Sequence, residues 1–280
     1  MATFIEDTDP SVATTPPIER CPNCGAELVG EYCHQCGQKK LHLKEYSVRQ
    51  FLGRLVNDFT DLESNKILRT LSALVIRPGL LATEYLAGRK GNYIGPVKLY
   101  LTFSALYFLF AWGALSDIRG GGSERTARHP ATISMARARG VPPKVLADQI
   151  YQKAEKYATA LRFSSVLISG LFLSALYFRM KKYYVEHLIF SLYYYSFDFL
   201  SKCVFALLFI VVAAMGMKLP GRVLDLFYPV GLVYLIFALR RVYRQGWTMT
   251  LVKSLALYVC ETILFIAVNV AGFFIAYAFI

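Results

Sequence analysis

The sequence predicts an all-α membrane protein with about five transmembrane helices plus interfacial helices, preceded by a small zinc-ribbon knuckle. Three observations predict it. Hydrophobic side chains make up 55% of the 280 residues and charged ones 18%, against a charged share of about a quarter in soluble domains. Five mostly apolar runs, at 97–116, 163–178, 188–215, 223–239 and 254–280, come close to the ~20 residues that cross a ~30 Å hydrocarbon layer. They are apolar on consecutive positions, as helices in lipid require, whereas the strands of a membrane barrel alternate. Finally, four of the six cysteines fall within residues 21–36.

Residues 1–20 form the first element, an acidic, Pro/Thr-rich leader with no apolar stretch, and so read as disordered rather than as a cleavable signal. The ribbon, residues 21–38, comes next. Cys21-Pro-Asn-Cys24-Gly and Cys33-His-Gln-Cys36-Gly are two copies of one knuckle. In each, two thiolates converge on one side of a tight turn, and the following glycine permits a left-handed backbone. Four sulfurs suit a tetrahedral zinc ion with no open coordination position, hence a structural rather than a catalytic metal. The eight residues from Gly25 to Tyr32 allow a small hairpin and no hydrophobic core, so the metal would hold the unit together. A disulfide pair is the competing reading, and a cytoplasmic setting disfavours it. His34 and His42 read as bystanders, and Cys203 and Cys260, in apolar runs, as packing residues.

Residues 39–96 are predicted to carry amphipathic and interfacial helices. Ser47 with Gln50 resembles a capping box, and Val48, Phe51, Leu52, Leu55, Val56 and Phe59 recur at helical spacing. The stretch from Ile67 to Tyr85 is interrupted by Arg77-Pro78-Gly79, where proline disfavours helix at the preceding residue, so two short helices or an elbow are expected. Gly88 suits a helix C-terminus, with Arg89 and Lys90 against the negative end of the dipole. Alternatively, Glu84 and Arg89 belong to a polar site at the mouth of the bundle.

The membrane domain is 97–280, with an extramembrane loop at 117–162 in which Pro142-Pro143 opens an amphipathic helix of about eighteen residues. Apart from the two knuckles, no internal repeat is evident. Charged residues in the apolar runs need a partner or a task, since each costs on the order of 3 kcal/mol at a helix centre. Asp198 and Lys202 are four apart with the acid first, which suits a helical ion pair. They are either a self-neutralising pair or a proton or cation site. Glu186 and His187 stand at the start of the third run, ahead of Tyr193-Tyr194-Tyr195, which reads as an interfacial aromatic belt. Adjacent helix positions diverge by about 100°, so the two need not share a site. Glu261 is expected to pair with Arg240, Arg241 or Lys253.

The ordered set Cys21-x-x-Cys24, Tyr32-Cys33-x-x-Cys36-Gly37-Gln38, Thr70-Leu71, Arg77-Pro78-Gly79, Glu84-Tyr85-x-x-Gly88-Arg89, Tyr93, Pro96 and Tyr184-Val185-Glu186-His187-Leu188 resembles a bacterial family of uncharacterised polytopic membrane proteins with an N-terminal zinc ribbon. The resemblance implies a membrane-embedded domain and no established activity.

The net charge of +12 does not point to nucleic acid, because of where the basic residues lie. Eleven precede the first run, three separate runs two and three, and four separate runs four and five, against two between runs three and four. The positive-inside rule then places the N-terminus in the cytoplasm and the C-terminus outside, although the 117–162 loop, with nine basic residues, runs against it. The family resemblance implies that the membrane is a bacterial inner membrane. Local catalytic motifs are absent: no Gly-x-Ser-x-Gly, no His-Glu-x-x-His, no phosphate-binding Gly-x-x-x-x-Gly-Lys. Three classes remain. One is a membrane scaffold or sensor whose ribbon binds a cytoplasmic protein. The others are an ion-coupled transporter using Asp198, Lys202 and Glu186, and an intramembrane enzyme on lipid headgroups using Glu84, Arg89, Glu186 and His187.

Overall fold

The computed structural model of the chain describes residues 19–38, 40, 64–111, 122–215 and 227–280. The leader up to residue 18, the amphipathic stretch from Ser47 and most of the connection after the third apolar run lie outside them. The described residues are helical beyond the ribbon, in the order α1 (Ser64–Ile76), α2 (Leu80–Leu86), α3 (Pro96–Leu106), a π-helical turn (Tyr107–Ala111), α4 (Gly122–Ala127), α5 (Pro130–Arg139), α6 (Pro143–Leu176), a 3-10 turn (Phe178–Met180), α7 (Tyr184–Ala214), α8 (Phe227–Tyr243) and α9 (Trp247–Ala278).

Three of these helices, α6, α7 and α9, are long and apolar enough to cross a membrane. At 34, 31 and 32 residues and about 1.5 Å per residue, each outruns a ~30 Å hydrocarbon layer. The described parts of the first and fourth apolar runs lie in the shorter helices α3, with its π-helical turn, and α8.

Within the segment 117–162, Gly122–Ala127 and Pro130–Arg139 form α4 and α5, and the amphipathic helix opened by Pro143 does not end after about eighteen residues but runs without a break into the second apolar run as α6. No proline or glycine interrupts residues 144–169, so the change from amphipathic to apolar pattern marks a change of surroundings within one helix, not its end.

Small residues set how closely the helices approach. On α9, Gly272 and Ala276 lie four apart, facing Ala154 and Ala158 on α6. A Cβ at Gly272 would stand 2.8 Å from the Ala154 carbonyl oxygen, the close backbone approach that small-xxx-small pairs permit in lipid. The same end carries a satellite core of Ala136, Leu146, Ile150, Ala154 and Ala276, closed by a 2.7 Å hydrogen bond between the hydroxyls of Thr132 and Tyr277. The main core joins α1, α2, α3, α6, α7, α8 and, through Leu257, α9, with Phe197 stacked on Tyr234 at 3.6 Å between ring centroids. Tyr193 and Tyr194 are buried in it, which corrects their reading as an interfacial belt: a wide arc of α7 faces protein there.

The elbow forms where Pro78 predicts it. Gly79 caps α2 with φ 76, and a Cβ there would come within 2.7 Å of the Ala238 carbonyl oxygen on α8. Only glycine satisfies both conditions. Arg241 donates from Nη1 to the Pro78 carbonyl at 2.9 Å, and Tyr193 donates to the Ile94 carbonyl at 3.1 Å. Thr70 Oγ1 accepts from the Ile94 N–H at 3.0 Å. A cavity of about 10 Å³, lined in part by Leu74, Gly79, Tyr193 and Tyr234, leaves room at the elbow for about one water.

Candidate functional site

The four ribbon cysteines come together. Their sulfurs all lie within 4.8 Å of one another, with Cys21 and Cys36 3.6 Å apart and Cys24 and Cys33 3.5 Å apart. A tetrahedral ion with metal–sulfur bonds of ~2.3 Å would hold sulfurs roughly 3.8 Å apart, so the cluster is compatible with a metal site and its spacing exceeds any disulfide bond. The knuckle turns are superposable in sequence. Gly25 and Gly37 have φ 80 and 69, and donate to the Cys21 and Cys33 carbonyls at 2.8 Å each. The Cys21 and Cys33 amides donate to the carbonyls of Ala26 and Gln38. The correspondence extends outward, Leu28 to Glu19 in one copy and Lys40 to Glu31 in the other, so the repeat covers the whole ribbon. Burial opposes ionisation of Cys36, yet hydrogen bonds from the Gln38 backbone, the Asn23 side chain and the other sulfurs outweigh it and pull the thiol down to about 7. The Cys24 thiol moves the opposite way, up to about 12, the lowering bond from the Ala26 backbone being outweighed by burial and by the bonds from Cys33, Cys36 and Cys21, so these two sulfurs titrate as a pair and not as independent ligands.

The copies differ at the residue after the glycine, Ala26 in one and Gln38 in the other. Gln38 is 8% exposed, and its carboxamide is used at both ends. Nε2 donates to the Gly88 carbonyl at 2.6 Å, while Oε1 accepts from the Lys90 and Gly91 N–H groups at 3.0 and 3.1 Å. A Cβ on Gly91 would stand 2.8 Å from the Asn23 amide nitrogen. The ribbon is therefore seated on the turn that ends α2. That turn is a Schellman motif, with Gly88 N–H on Tyr85 O, Arg89 N–H on Glu84 O and Gly88 at φ 83. The motif brings the Arg89 and Glu84 side chains together at 2.5 and 2.6 Å. The hydrogen bonds from Arg89 hold the Glu84 carboxyl below its ordinary value, burial opposing them.

Glu186 and His187 go to different partners, as their spacing predicts. Glu186 accepts from the Tyr183 N–H at 3.2 Å and from Lys182 at 3.1 Å, the back-reaching bond of a helix-capping acid. His187 is buried, and its Nδ1 lies 2.6 Å from the Tyr243 hydroxyl. Glu84, Arg89, Glu186 and His187 thus sit in three local arrangements.

In the middle of the bundle, Lys202 donates to Asp198 at 2.5 Å. Glu261 does not use the basic residues expected for it. Its Oε2 accepts from the Tyr195 hydroxyl at 2.5 Å, because Glu261 lies about four turns along α9 and faces α7. Sequence reasoning missed Arg162, which is buried in α6 and donates to Asn269 Oδ1 of α9 at 2.7 Å. Its signal was a charge inside an otherwise apolar helical stretch, hidden by its placement in a supposed loop. Glu261 is within electrostatic reach of Asp198 and Lys202, and Lys202 of Arg162, so α6, α7 and α9 gather two cations and two acids.

Three helices long and apolar enough to cross a membrane, preceded by a four-cysteine cluster that could hold a metal, are the features expected of a helical membrane protein with an N-terminal cysteine motif. A family model described as "Protein of unknown function (DUF3667)" matches residues 64–108, from α1 through the elbow and the ribbon seat into the π-helical turn. No curated protein and no solved structure matches the chain.

Proposed function

We propose that the protein is a membrane scaffold or sensor in which zinc, bound by Cys21, Cys24, Cys33 and Cys36, shapes a ribbon that recruits a cytoplasmic protein partner to the bundle. The observation that carries this reading is the Gln38 clamp. A tethered metal module with no further role needs no buried side chain joining it to the membrane domain, whereas a module that reports to that domain needs a fixed seat. Four thiolates favour zinc, and the closed set makes it structural. The basic residues flanking the helix ends favour a bacterial inner-membrane protein of five passes with its N-terminus in the cytoplasm, α3 and α8 supplying the shorter passes. Nucleic acid is not the partner in this reading, since those residues serve the membrane surface.

The test is zinc content together with site-specific photocrosslinking in cells from Val29 and Tyr32, which are exposed on the ribbon. About one zinc per chain is expected, with a discrete crosslinked protein that is lost in Cys33→Ser while membrane insertion persists. Less than about half an equivalent of zinc in reduced, unchelated protein, or crosslinking indifferent to Cys33→Ser, would refute the proposal.

A second reading, ion-coupled transport, is favoured by the gathering of Arg162, Asp198, Lys202 and Glu261 between three long helices. It predicts that Asp198 and Lys202 can be replaced together with retention of fold and loss of activity.

A further inference from the structure

We propose that two short connectors at the ribbon end of the bundle, taken with the helix ends that flank them as residues 177–184 (α6 to α7) and 240–247 (the last turn of α8 to the start of α9), together form a binding site for the headgroup of an anionic phospholipid. The connectors are far apart in sequence and adjacent in space. The rings of Tyr177 and Tyr243 stack at 3.7 Å between centroids with 15° between planes, and Gln245 Nε2 lies 3.7 Å from Met180 Sδ. His187 holds the Tyr243 hydroxyl from one side, and Lys253 Nζ lies 4.0 Å from the Tyr177 ring centroid. The aromatic stack fixes the spacing of the two connectors.

Their charge is one-sided. They carry Arg179, Lys181, Lys182, Arg240, Arg241 and Arg244, with Glu186 just beyond as the nearest acid in sequence, and Glu186 is engaged by Lys182 and the start of α7. Arg240 and Arg241 donate to the carbonyls of Gln245 and Pro78, neutral partners that leave the positive charge uncompensated. Arg179, Lys181, Arg241 and Arg244 are exposed.

Backbone geometry supplies an independent observation. Among the described residues, the non-glycine positions with positive φ are Lys181 at 49° and Arg244 at 50°. One follows the 3-10 turn and the other ends α8, places where glycine would carry no strain. The strained positions are held instead by long cationic side chains, one in each connector, as at sites where geometry serves binding. Exposed Phe178, Tyr183 and Trp247 alternate with these cations. Rings of this kind sit at the headgroup level while Lys and Arg reach phosphates. The Arg240 and Arg179 guanidinium groups lie 4.4 and 5.6 Å from the Trp247 and Phe178 ring centroids, so cations and exposed rings form one mixed surface that suits a phosphate attached to acyl chains better than a free anion.

The test uses the full-length protein in bilayers of equal parts phosphatidylglycerol and phosphatidylcholine, followed by mild detergent extraction and a count of the lipids retained per chain by mass spectrometry. Phosphatidylglycerol should be retained in excess. That excess should fall by roughly five-fold for each charge removed among Arg179→Gln, Lys181→Gln and Arg244→Gln, and should be untouched by Arg137→Gln with Arg139→Gln at the other end. In the unaltered protein it should shrink as salt screens the headgroups. Equal retention of the two lipids, indifference to salt, or a full excess in the triple variant would overturn the proposal. Displacement by inorganic phosphate at constant ionic strength would also overturn it, by showing a plain anion site.

Discussion

At the ribbon end, several side chains are tied to backbone beside the local pairs Glu84–Arg89, Lys182–Glu186 and His187–Tyr243, while in the middle of the bundle the charged side chains are tied to other side chains. Gln38 serves the carbonyl of Gly88 and the amides of Lys90 and Gly91, Arg241 serves Pro78, Tyr193 serves Ile94, and Thr70 receives the Ile94 amide. Between α6, α7 and α9 the bonds run from Lys202 to Asp198, from Tyr195 to Glu261 and from Arg162 to Asn269. The difference follows from where helices stop. A helix end leaves carbonyls and amides without intrahelical partners, so a side chain there finds backbone to bond. Mid-helix amides are already satisfied; Ser196, Ser254 and Asn269 can still donate to the carbonyl one turn back, but a charged side chain there needs another side chain. Water can replace a lost partner at the ribbon end, and cannot easily do so in the middle.

The largest effect should therefore come from breaking one member of a mid-bundle pair. Asp198→Leu or Lys202→Met alone leaves its partner charged in a low-dielectric setting, with an expected loss of ~3 to 5 kcal/mol. The two replacements together should be nearly neutral. Thermal unfolding of both single variants and the double variant in detergent decides the point. A double variant as unstable as either single one would show that Asp198 and Lys202 depend on Arg162 and Glu261 as much as on each other. A stable double variant that keeps its cellular activity would remove the transport reading.

A smaller and more local effect is expected at the ribbon end. Gln38→Ala deletes three hydrogen bonds to residues 88–91, at a cost of ~1 to 3 kcal/mol if water replaces them only in part. That cost should appear as faster hydrogen exchange at 88–91 and faster proteolysis of the ribbon, with bundle unfolding unchanged. Ala26→Gln, the same side chain in the other knuckle, should not restore the protection. If Gln38→Ala instead lowers the melting temperature of the whole bundle, the two regions are one cooperative unit and the contrast between them fails.

How far these features were legible depended on how local they are. The knuckles, the elbow at Pro78-Gly79, the helix end at Gly88 and the Asp198–Lys202 pair all lie within a few residues, where spacing and backbone preference suffice. Gln38 stood in view beside Cys36-Gly37, but its partners lie 50 to 53 residues on and nothing in its own neighbourhood names them. Glu261 was matched to nearby cations because sequence distance was the only guide, while its partner, Tyr195, comes from another helix. Tyr193 to Tyr195 resembled a membrane belt because aromatic composition is the same in a belt and in a packed core. The unbroken α6 was divided because its two halves carry different hydrophobic patterns, one seated against α5 and the end of α9, the other among apolar neighbours.

The Glu84–Arg89 pair should show the smallest effect, and it tests the contrast in a graded way. It is a side chain pair, like those of the middle, but it sits at a helix end with Arg89 41% and Glu84 20% exposed. If surroundings rather than pairing set the cost, breaking it should be mild, below about 1 kcal/mol after solvent screening. Its pH dependence carries a sign. The Glu84 carboxyl is held below its ordinary value in the fold, so its contribution is present above the unfolded carboxyl value and is lost as pH falls through the folded one. Melting of the wild type and Glu84→Gln across about pH 7 to 3 should show a small wild-type advantage at the upper end that disappears at the lower. An advantage that grows on acidification would contradict the sign. A loss as large as that of Lys202→Met would mean that pairing itself, not the absence of water, makes the mid-bundle charges costly to break.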